Sequence, residues 1–477
     1  MNPIKLNVLT LDEQRLIHEA TLDVLSTVGV RVFDEGLRAL MHDHGAQVDE
    51  ATGVVRLPTS LVLDALSTAP KTFYLADRKG GRLPIPGQEA YIATRLLLPN
   101  VLDYGSEEPR SPVTRDIIRA CQVANAMDDV DLVVGIDVPV VDIKPPEYAD
   151  IISIQTLLTY TAKHLVCAPI NTDAMKHWVA LLKASTESGD LTQEPVMTVE
   201  VAVTSPLMFD RETSGVLKMA AENGLPVLTM PMPAGGGTAP ITTAGQTVQH
   251  NAEVLFMIAV AQMIRRGAPC FYGGIPATFD LRTGIVTLSS PEFPLLVSAW
   301  QEMGRFYGLP LFSETKYTDS TTLDEQASAE KVMSAFAALA SGTDVVYGCG
   351  DLDNVLVLSL EQVVIDHDLI LAARRYVQGI VVDKDRLAVD VIRRVGPGGH
   401  YLEDEHTMRY MRSGERIALK SYNRLGHRST ARTQLEKAHE IVEKVVSKPA
   451  EPVISPAAIA RIQACVEERK HVVKLAS

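Results

Sequence analysis

The fold is decided by residues 194–256, which read EPVMTVEVAVTSPLMFDRETSGVLKMAAENGLPVLTMPMPAGGGTAPITTAGQTVQHNAEVLF. Two short apolar runs within it, 196–204 and 226–232, have the length and β-branched content of strands. A segment of helix length, about 211–223, separates them, and Gly224 follows it, as glycine commonly does after the end of a helix. Strand, helix and strand in so short a span predict a parallel pair of strands joined by a helical crossover.

A glycine-rich loop follows the second of these strands and leads into a long helix near 245–265. It contains Gly235, Gly236 and Gly237, and glycine lets backbone amides approach a small ligand closely. The carboxyl edge of a parallel sheet is where α/β folds place their sites. The loop is therefore a candidate for binding a phosphate or a carboxylate on its amides. It lacks the lysine and the spacing of a P-loop, and a plain tight turn explains it equally well.

Composition excludes several classes of function. The chain has 477 residues, is 46% hydrophobic and carries a formal net charge of -14. It can therefore bury a large core, and its charge argues against binding nucleic acid or anionic membrane surfaces. The five scattered cysteines favour a reducing cytoplasm over a disulfide framework. Because the sequence shows neither a signal peptide nor an apolar run of about 18 residues, we expect a soluble cytoplasmic protein.

Strand-like and helix-like segments alternate from residue 114 onward. Seven candidate strands and a possible eighth lie at 132–137, 164–168, 196–204, 226–232, 269–273, 309–314, 344–348 and 354–358. This alternation predicts an α/β fold, a (β/α)8 TIM-type barrel over 114–380, with an open doubly wound sheet as the alternative. Residues 1–113 read as an N-terminal helical and hairpin cap, and 381–477 as a C-terminal helical extension. The sequence has no GxGxxG after the first strand, which argues against a dinucleotide site.

Acidic and aromatic residues near the predicted strand ends are the candidates for chemistry. Glu314 ends a strand, where a barrel would present it to a substrate, whereas Glu200 lies inside a strand and reads as a core carboxylate. Aromatic residues make up only 5% of the chain, and Tyr272, Tyr317 and Tyr347 fall at or just after strand ends. Tyrosine faces suit a quaternary ammonium, which cannot donate a hydrogen bond, and each contributes about 0.5–2 kcal/mol. Rim packing explains the same positions equally well.

Motifs for other chemistries are incomplete. His164 and Cys167 are three apart on a predicted strand, so their side chains point to opposite faces and we predict no bound metal. The run DEHTMR at 404–409 resembles the start of a cobalamin-binding module but lacks its glycines, and it reads as a solvated helix start. A hydrolase triad has no Gly-x-Ser-x-Gly elbow to anchor it.

Several longer stretches resemble the trimethylamine:corrinoid methyltransferase family. They are SPLMFD at 205–210, GGTAPITTAGQ at 236–246, HNAEVLF at 250–256, FDLRTGIVTLSSPE at 279–292, GLP at 308–310, DEQASAEK at 324–331, YGCGDLD at 347–353 and VGPGGHYLEDEHT at 395–407. The resemblance keeps its order from about residue 114 into the C-terminal region. It implies a (β/α)8 barrel that transfers a methyl group from a methylated amine to the cobalt of a corrinoid (cobalamin) carried by a separate protein.

The resemblance also narrows the substrate. Archaeal trimethylamine enzymes of this family carry pyrrolysine in the barrel, whereas this chain contains only standard residues and so resembles the non-pyrrolysine branch. That branch is associated with quaternary amines such as glycine betaine, proline betaine and carnitine, of which we expect glycine betaine first. A quaternary nitrogen leaves as a neutral tertiary amine, here dimethylglycine. This departure needs no proton or metal, so the protein has only to position the substrate and surround its ammonium group.

The resemblance implies a cage for the trimethylammonium group. We expect Tyr272, Tyr317 and Tyr347 to surround the methylated nitrogen. Glu314 or Asp351 would balance its charge.

The rest of the expected site concerns the substrate carboxylate and the partner. The carboxylate is expected on Arg95, on His250 or on the amides of 235–237. A cognate corrinoid protein is the expected partner because the chain lacks a complete cobalamin motif, and a homo-oligomer is compatible with a barrel of this size. The alternatives are a non-catalytic sensory barrel that binds a betaine, and a barrel lyase or aldolase that uses Glu314 with a phosphate on the glycine loop.

Overall fold

Eight parallel strands form a closed barrel at the centre of the molecule. The computed structural model describes residues 4–136, 140–422 and 432–476. Numbering only the barrel elements, the strands are β1 (Tyr91–Arg95), β2 (Leu132–Ile136), β3 (His164–Ala168), β4 (Met197–Val201), β5 (Val227–Thr229), β6 (Cys270–Tyr272), β7 (Phe312–Glu314) and β8 (Val345–Tyr347). Strand β8 pairs with β1, and Tyr272 of β6 bridges to Leu311 just before β7, which closes the ring. The barrel prediction is confirmed, and the open sheet is excluded.

A helix follows each strand and packs on the outside of the barrel. The helices are α1 (Thr114–Asn125), α2 (Ala149–Tyr160), α3 (Thr172–Ser185), α4 (Arg211–Glu222), α5 (Thr243–Ile264), α6 (Glu292–Phe306), α7 (Glu325–Ala340) and α8 (Leu360–Val377). Side chains accept hydrogen bonds from the first-turn amides at several starts, including Asp210 before α4 and Asp324 before α7, the usual start signal of a helix. Gly224 follows α4 with a φ of 70°, as the sequence predicted.

The barrel begins earlier than the sequence indicated. Its first strand, β1, lies inside the residues 1–113 that were assigned to the cap, and it pairs with both β2 and β8. The predicted eighth strand at 354–358 is not part of the barrel. Its end, Val357–Leu358, joins Asn100–Val101 and Asp351–Leu352 in a separate three-stranded sheet. The pattern of a short apolar run does not show whether it forms a barrel strand or one strand of a separate hairpin.

The residues before β1 cover one side and one end of the barrel. The helices Leu11–Asp23 and Thr59–Thr68 pack on α5, and a third helix is Glu35–Asp43. A π-helical turn, Val24–Val28, extends the first of them. The strands Val30–Val32, Gln47–Asp49 and Val54–Arg56 form a small sheet that Met208–Phe209 joins from the loop after β4. Because α5 is covered outside as well as inside, it is buried along most of its length.

A hairpin closes the amino-terminal end of the barrel. Its strands, Phe73–Ala76 and Arg82–Ile85, pair antiparallel across the turn at 77–81. Leu75 is fully buried in the apolar cluster of the barrel interior, and the ring of Phe73 meets that of Phe271 edge-on at 5.0 Å. The interior is therefore approached from the opposite, carboxyl end of the strands.

Beyond α8 the described residues form four more helices. Two longer ones pack on the barrel helices, Gln434–Val446 against α8 and α1, and Pro456–Ala476 against α3 and α2. Two short ones are Val389–Val395 and Glu405–Met411. Asp404 accepts a hydrogen bond from the amide of His406 at 2.9 Å, so the run at 404–409 is a helix start, as predicted. None of the helices in the described ranges is long and apolar enough to cross a membrane.

Candidate active site

The upper layer of the barrel interior is charged, although the layers beneath it are apolar. Arg95, Glu314 and Tyr347 each lie two residues after a side chain of the apolar interior cluster. Because side chains alternate along a strand, these three also point into the barrel, at its carboxyl end. Glu200 of β4 faces the same space, since its charge acts on Arg95 and on Glu314.

Arg95 is at the centre of this cluster. Its Nε lies 3.0 and 3.1 Å from the two carboxylate oxygens of Asp351, and its Nη2 lies 3.5 Å from the hydroxyl of Tyr317. Its guanidinium carbon stands 4.5 Å from the centre of the Tyr347 ring, within the range of a cation–π contact. Burial disfavours the charge on Arg95, but Asp351 and Glu314 more than offset this, so the pKa of Arg95 is raised.

Three carboxyl groups share this space. Burial raises the pKa of Glu200, Glu314 and Asp351, and the nearby Arg95 charge only partly reverses the effect. Glu314 is pushed furthest, because the other two carboxylates also repel its charge. It accepts a hydrogen bond from the Tyr317 hydroxyl. Three acids facing one paired arginine leave the cluster short of positive charge.

A second cation stands behind Glu314. Lys316 is fully buried, and its Nζ lies 2.9 Å from the sulfur of Cys349. Burial raises the pKa of the Cys349 thiol, against the opposing effect of Lys316. The cluster therefore combines two cationic side chains, Arg95 and Lys316, with three carboxyl groups whose pKa values are raised.

Two further observations indicate that the cluster faces a ligand. Among the described residues, no atom hydrogen-bonds the buried hydroxyl of Tyr347, and such a group costs about 1–3 kcal/mol when it stays unpaired. Glu200 is only half-buried despite its position inside the barrel wall, so it borders an open space. A polar ligand in that space would satisfy both groups.

A buried ion pair holds the loop that carries Asp351. Asp366 of α8 accepts hydrogen bonds from Nζ of Lys331 at 2.7 Å and from the amide of Gly350 at 2.8 Å. Gly350 has a φ of 99° and Gly348 a φ of 111°, a region that favours glycine. Through Gly350, Asp366 fixes the loop at the point where Asp351 meets Arg95.

The chain matches the family model of trimethylamine methyltransferase (MTTB) over residues 2–473. It belongs to this family. The chain is 30% identical over 455 residues to the trimethylamine methyltransferase MttB of Methanosarcina barkeri, covering 94% of this chain and 92% of that protein. It is 28% identical over 471 residues to the glycine betaine methyltransferase of Desulfitobacterium hafniense, covering 98% and 97%. In backbone it is similar to the MtmB–hydroxylamine complex, with a TM-score of 0.53 and 13% identity over 91% of both chains.

The matching motifs of this methyltransferase family include contacts that hold the site's loops. Glu253, within HNAEVLF, accepts hydrogen bonds from the hydroxyl of Ser205 at 2.8 Å and from the amide of Leu207 at 3.0 Å, both within SPLMFD. Burial raises the pKa of Glu253 to about 7. Lys331 ends the motif DEQASAEK, and its ion pair with Asp366 supports the YGCGDLD loop. SPLMFD and HNAEVLF thus meet in space, and Asp366 connects DEQASAEK to YGCGDLD.

Tyr272 and His250, expected at the mouth, lie outside the barrel wall of this methyltransferase. Tyr272 points from β6 towards α5, and its hydroxyl donates to Oδ1 of Asn251 at 2.9 Å. His250 stacks on Trp300 at 3.5 Å between ring centres, and burial lowers its pKa to about 3. The inward residue of β6 is Phe271. The expected placement of these two residues is corrected: they belong to the layer between strands and helices.

The glycine loop is a closed turn. The amide of Gly236 donates to the carbonyl of Ala239, and the amide of Gly237 to the carbonyl of Ala234, each at 3.0 Å. Gly235 pairs in a short ladder with the hairpin that follows β6. Because the loop uses these amides itself, the carboxylate or phosphate expected on them is not supported, and the tight-turn interpretation is the correct one.

Five of the predicted site residues do meet inside the barrel. They are Arg95, Glu314, Tyr317, Tyr347 and Asp351. No role was predicted for Lys316 or Cys349, and Glu200 was interpreted as a core residue. The signal for Glu200 was available, because Thr198 and Glu200 are polar at alternate positions of an otherwise apolar strand.

His164, considered for zinc, is a structural residue. Its Nδ1 lies 3.0 Å from the carbonyl of Ala76 and its Nε2 2.8 Å from the hydroxyl of Thr198. Both ring nitrogens are therefore engaged by protein. In the described part of the chain, no three His, Cys, Asp or Glu side chains are grouped to hold a metal ion.

Proposed function

We propose that this methyltransferase moves a methyl group from a quaternary amine to the cobalt(I) of a corrinoid carried by a separate protein. Glycine betaine is the first choice of donor, and dimethylglycine the product. The observation that carries the proposal is the tyrosine-containing cluster inside the barrel mouth, in which three carboxyl groups face Arg95. The similarity to a glycine betaine methyltransferase over nearly the whole chain supports the same donor.

The carboxyl groups of Glu200 and Glu314 favour a methyl donor with a trimethylammonium group. A trimethylammonium group has no hydrogen to donate, so carboxylates and aromatic faces stabilise it through electrostatics. Glu200 and Glu314 have raised pKa values in the free protein. A cation beside them stabilises their ionised forms. It offsets the cost of burying these charges and the repulsion between the carboxylates.

Arg95 is the group best placed for the carboxylate of a betaine. It uses Nε on Asp351 and Nη2 on Tyr317, and no described residue accepts a hydrogen bond from its Nη1. A carboxylate at Nη1 would form a charge-assisted hydrogen bond, which is stronger than a neutral one. This contact distinguishes betaines from choline, which has no carboxylate.

The chemistry requires little of the protein beyond position. The quaternary nitrogen departs as a neutral tertiary amine, so the site needs no acid to protonate the leaving group. Cobalt(I) supplies the nucleophile from the partner. Residues of the cluster orient the methyl group towards the mouth, and such positioning can account for much of a rate enhancement.

The loops around the mouth offer a surface for the corrinoid protein. Large apolar side chains are exposed in the loops that follow the strands, namely Tyr104, Val141, Ile170, Met232, Ile241, Leu281, Ile285 and Leu356. Exposed apolar side chains around a polar cavity are typical of a protein-binding surface. Because the hairpin closes the other end, we infer that the methyl acceptor approaches here.

Anaerobic spectroscopy tests the proposal. A cobalt(I) corrinoid protein is mixed with this chain and, one at a time, glycine betaine, proline betaine, carnitine, choline and trimethylamine. We expect conversion to methylcobalt(III) with glycine betaine and none with choline. Tight betaine binding in calorimetry without conversion would instead indicate a sensory barrel. The absence of both methylcobalt(III) formation and betaine binding would contradict the proposal.

A further inference from the structure

Residues 379–416, which follow α8, expose an unusual amount of apolar surface. Nine large apolar side chains in this segment are exposed, and we call them the basal patch: Ile380, Val382, Leu387, Val389, Ile392, Tyr401, Leu402, Met408 and Met411. Seven of the nine are more than half exposed. Within the described structure, the helices Val389–Val395 and Glu405–Met411 bury none of their residues. The segment therefore has defined secondary structure without a core of its own.

Surface ion pairs are the main contacts that hold the segment together. Arg386 lies 2.7 Å from Glu415, Arg394 lies 2.6 Å from Asp404, and Arg409 pairs with Asp385 at 2.6 Å. At least one partner of each pair is open to solvent, and water and salt weaken such ion pairs. Ordering a chain segment costs conformational entropy that apolar burial normally offsets. The described residues do not supply this burial, which leaves the surface open to another molecule.

We propose that the basal patch pairs with the same patch of a second copy of this chain. Its charge favours this partner. Residues 379–416 hold seven basic and seven acidic residues, whereas the whole chain carries a net charge of -14. Contact between two copies through other parts of the surface would bring negatively charged surfaces together. Contact through residues 379–416 instead joins two surfaces that carry no net charge. A two-fold axis suits such a contact, because each copy then presents one self-complementary patch.

The size of the patch is adequate for a stable dimer. A standard interface buries about 800 Å² on each partner, from about 20–30 residues. The segment spans 38 residues, and its nine exposed apolar side chains provide the apolar centre that homodimer interfaces have.

The position of the patch argues against the corrinoid protein as its partner. Arg375, near the end of α8, donates to the carbonyl of Glu415 at 3.3 Å, and Glu89 and Asp129 border the same cleft. Glu89 precedes β1 and Asp129 precedes β2, so the segment lies at the amino-terminal end of the barrel. A methyl acceptor must reach the opposite end. A dimer through the basal patch leaves both barrel mouths open.

Light scattering after size-exclusion chromatography tests the dimer on the full chain. We expect the mass of a dimer at micromolar concentration and a monomer for Ile392→Asp with Leu402→Asp. The matched control is Leu16→Asp with Leu63→Asp, which places the same charges on exposed leucines of two N-terminal helices and should leave the dimer intact. A monomeric wild type, or a dimer that persists in the patch variant, would overturn the proposal.

Hydrogen exchange of the unaltered chain provides a measurement that does not depend on a variant folding. Backbone amides at 389–411 should become more protected as concentration rises through the dissociation constant. Protection that does not change with concentration, in a protein that does dimerise, would place the interface elsewhere and overturn the proposal.

Discussion

Two buried polar clusters lie on opposite faces of the barrel wall, and they differ in how far their hydrogen bonds are satisfied. In the outer cluster, between β6 and α5, Tyr272 donates to Asn251 at 2.9 Å. Asn251 in turn donates to the hydroxyls of Thr21 and Tyr307, each at 2.8 Å. His250 completes the cluster with a contact to the backbone carbonyl at the end of β6. Donors and acceptors are closely matched.

The inner cluster is poorly matched. Glu200, Glu314 and Asp351 face Arg95 and have raised pKa values, and no described residue hydrogen-bonds the hydroxyl of Tyr347. Buried polar groups in folded proteins are normally paired, so exceptions need an explanation. Both clusters are buried and both contain tyrosine, so neither burial nor aromatic content separates them. The unsatisfied groups do, and we expect the matched network to stabilise the fold and the unmatched one to bind a ligand.

Arg95→Met should have the largest effect on function. It removes the proposed carboxylate contact and leaves Asp351 as an uncompensated buried charge, which costs about 3–5 kcal/mol. We expect kcat/KM for glycine betaine to fall by more than about 100-fold. The control is Arg95→Met with Asp351→Asn, which removes the unpaired charge. If the double variant recovers full activity together with stability, Arg95 has only a structural role.

Glu314→Gln and Glu200→Gln should weaken binding of the cation. Removing one partner of a buried charge pair costs about 2–5 kcal/mol, or about 30-fold or more in affinity. Proton release supplies a second measurement. The raised pKa values mean that the free site retains a proton at a pH where ordinary carboxyl groups have lost theirs, and an entering cation lowers those values. Binding should therefore release a proton, and the release should disappear once pH exceeds the raised values.

Calorimetry in buffers of different ionisation enthalpy measures this release. The observed enthalpy of betaine binding should depend on the buffer for the wild type and depend less on it for Glu314→Gln. An enthalpy that is the same in all buffers would show that neither glutamate changes its protonation, and the charge argument for a cationic substrate would fail.

The same contrast shows what the sequence could and could not provide. The stretch around β4, α4 and β5 was assigned correctly because each apolar run is bounded by a helix of full length. Tyr272 was placed on the wrong side of the wall because β6 reads CFY, with two adjacent aromatic residues. A shift of one residue exchanges the two faces of a strand, and both faces of a barrel strand are buried. Pattern alone therefore gave no means of choosing Phe271.

Arg95 and Glu200 illustrate a different limit. Arg95 was named as a site residue, but its strand was assigned to the cap, so its meeting with Asp351 could not be foreseen. The two residues are 256 positions apart in the chain, and they meet through the closure of β8 onto β1. Glu200 was read as core because a buried strand does not reveal which of its faces holds a cavity.

Tyr272→Phe should destabilise the fold without altering catalysis. The substitution leaves Oδ1 of Asn251 without its donor, and an unsatisfied buried acceptor costs about 1–3 kcal/mol. Chemical unfolding should show this loss, while KM and kcat stay at wild-type values. A changed KM for betaine would return Tyr272 to the site and remove the distinction between the clusters.

Tyr347→Phe makes the same chemical change in the inner cluster and should have the opposite consequence. The hydroxyl that it removes has no partner among the described residues, so the free energy of unfolding should stay the same or rise slightly. The ring remains, with Arg95 over one face, and the cation–π contact is therefore kept. We expect betaine affinity to fall by only a few-fold, because the ligand loses one polar neighbour. A loss of stability equal to that of Tyr272→Phe would show that both clusters are structural, and the inner one would no longer mark the site.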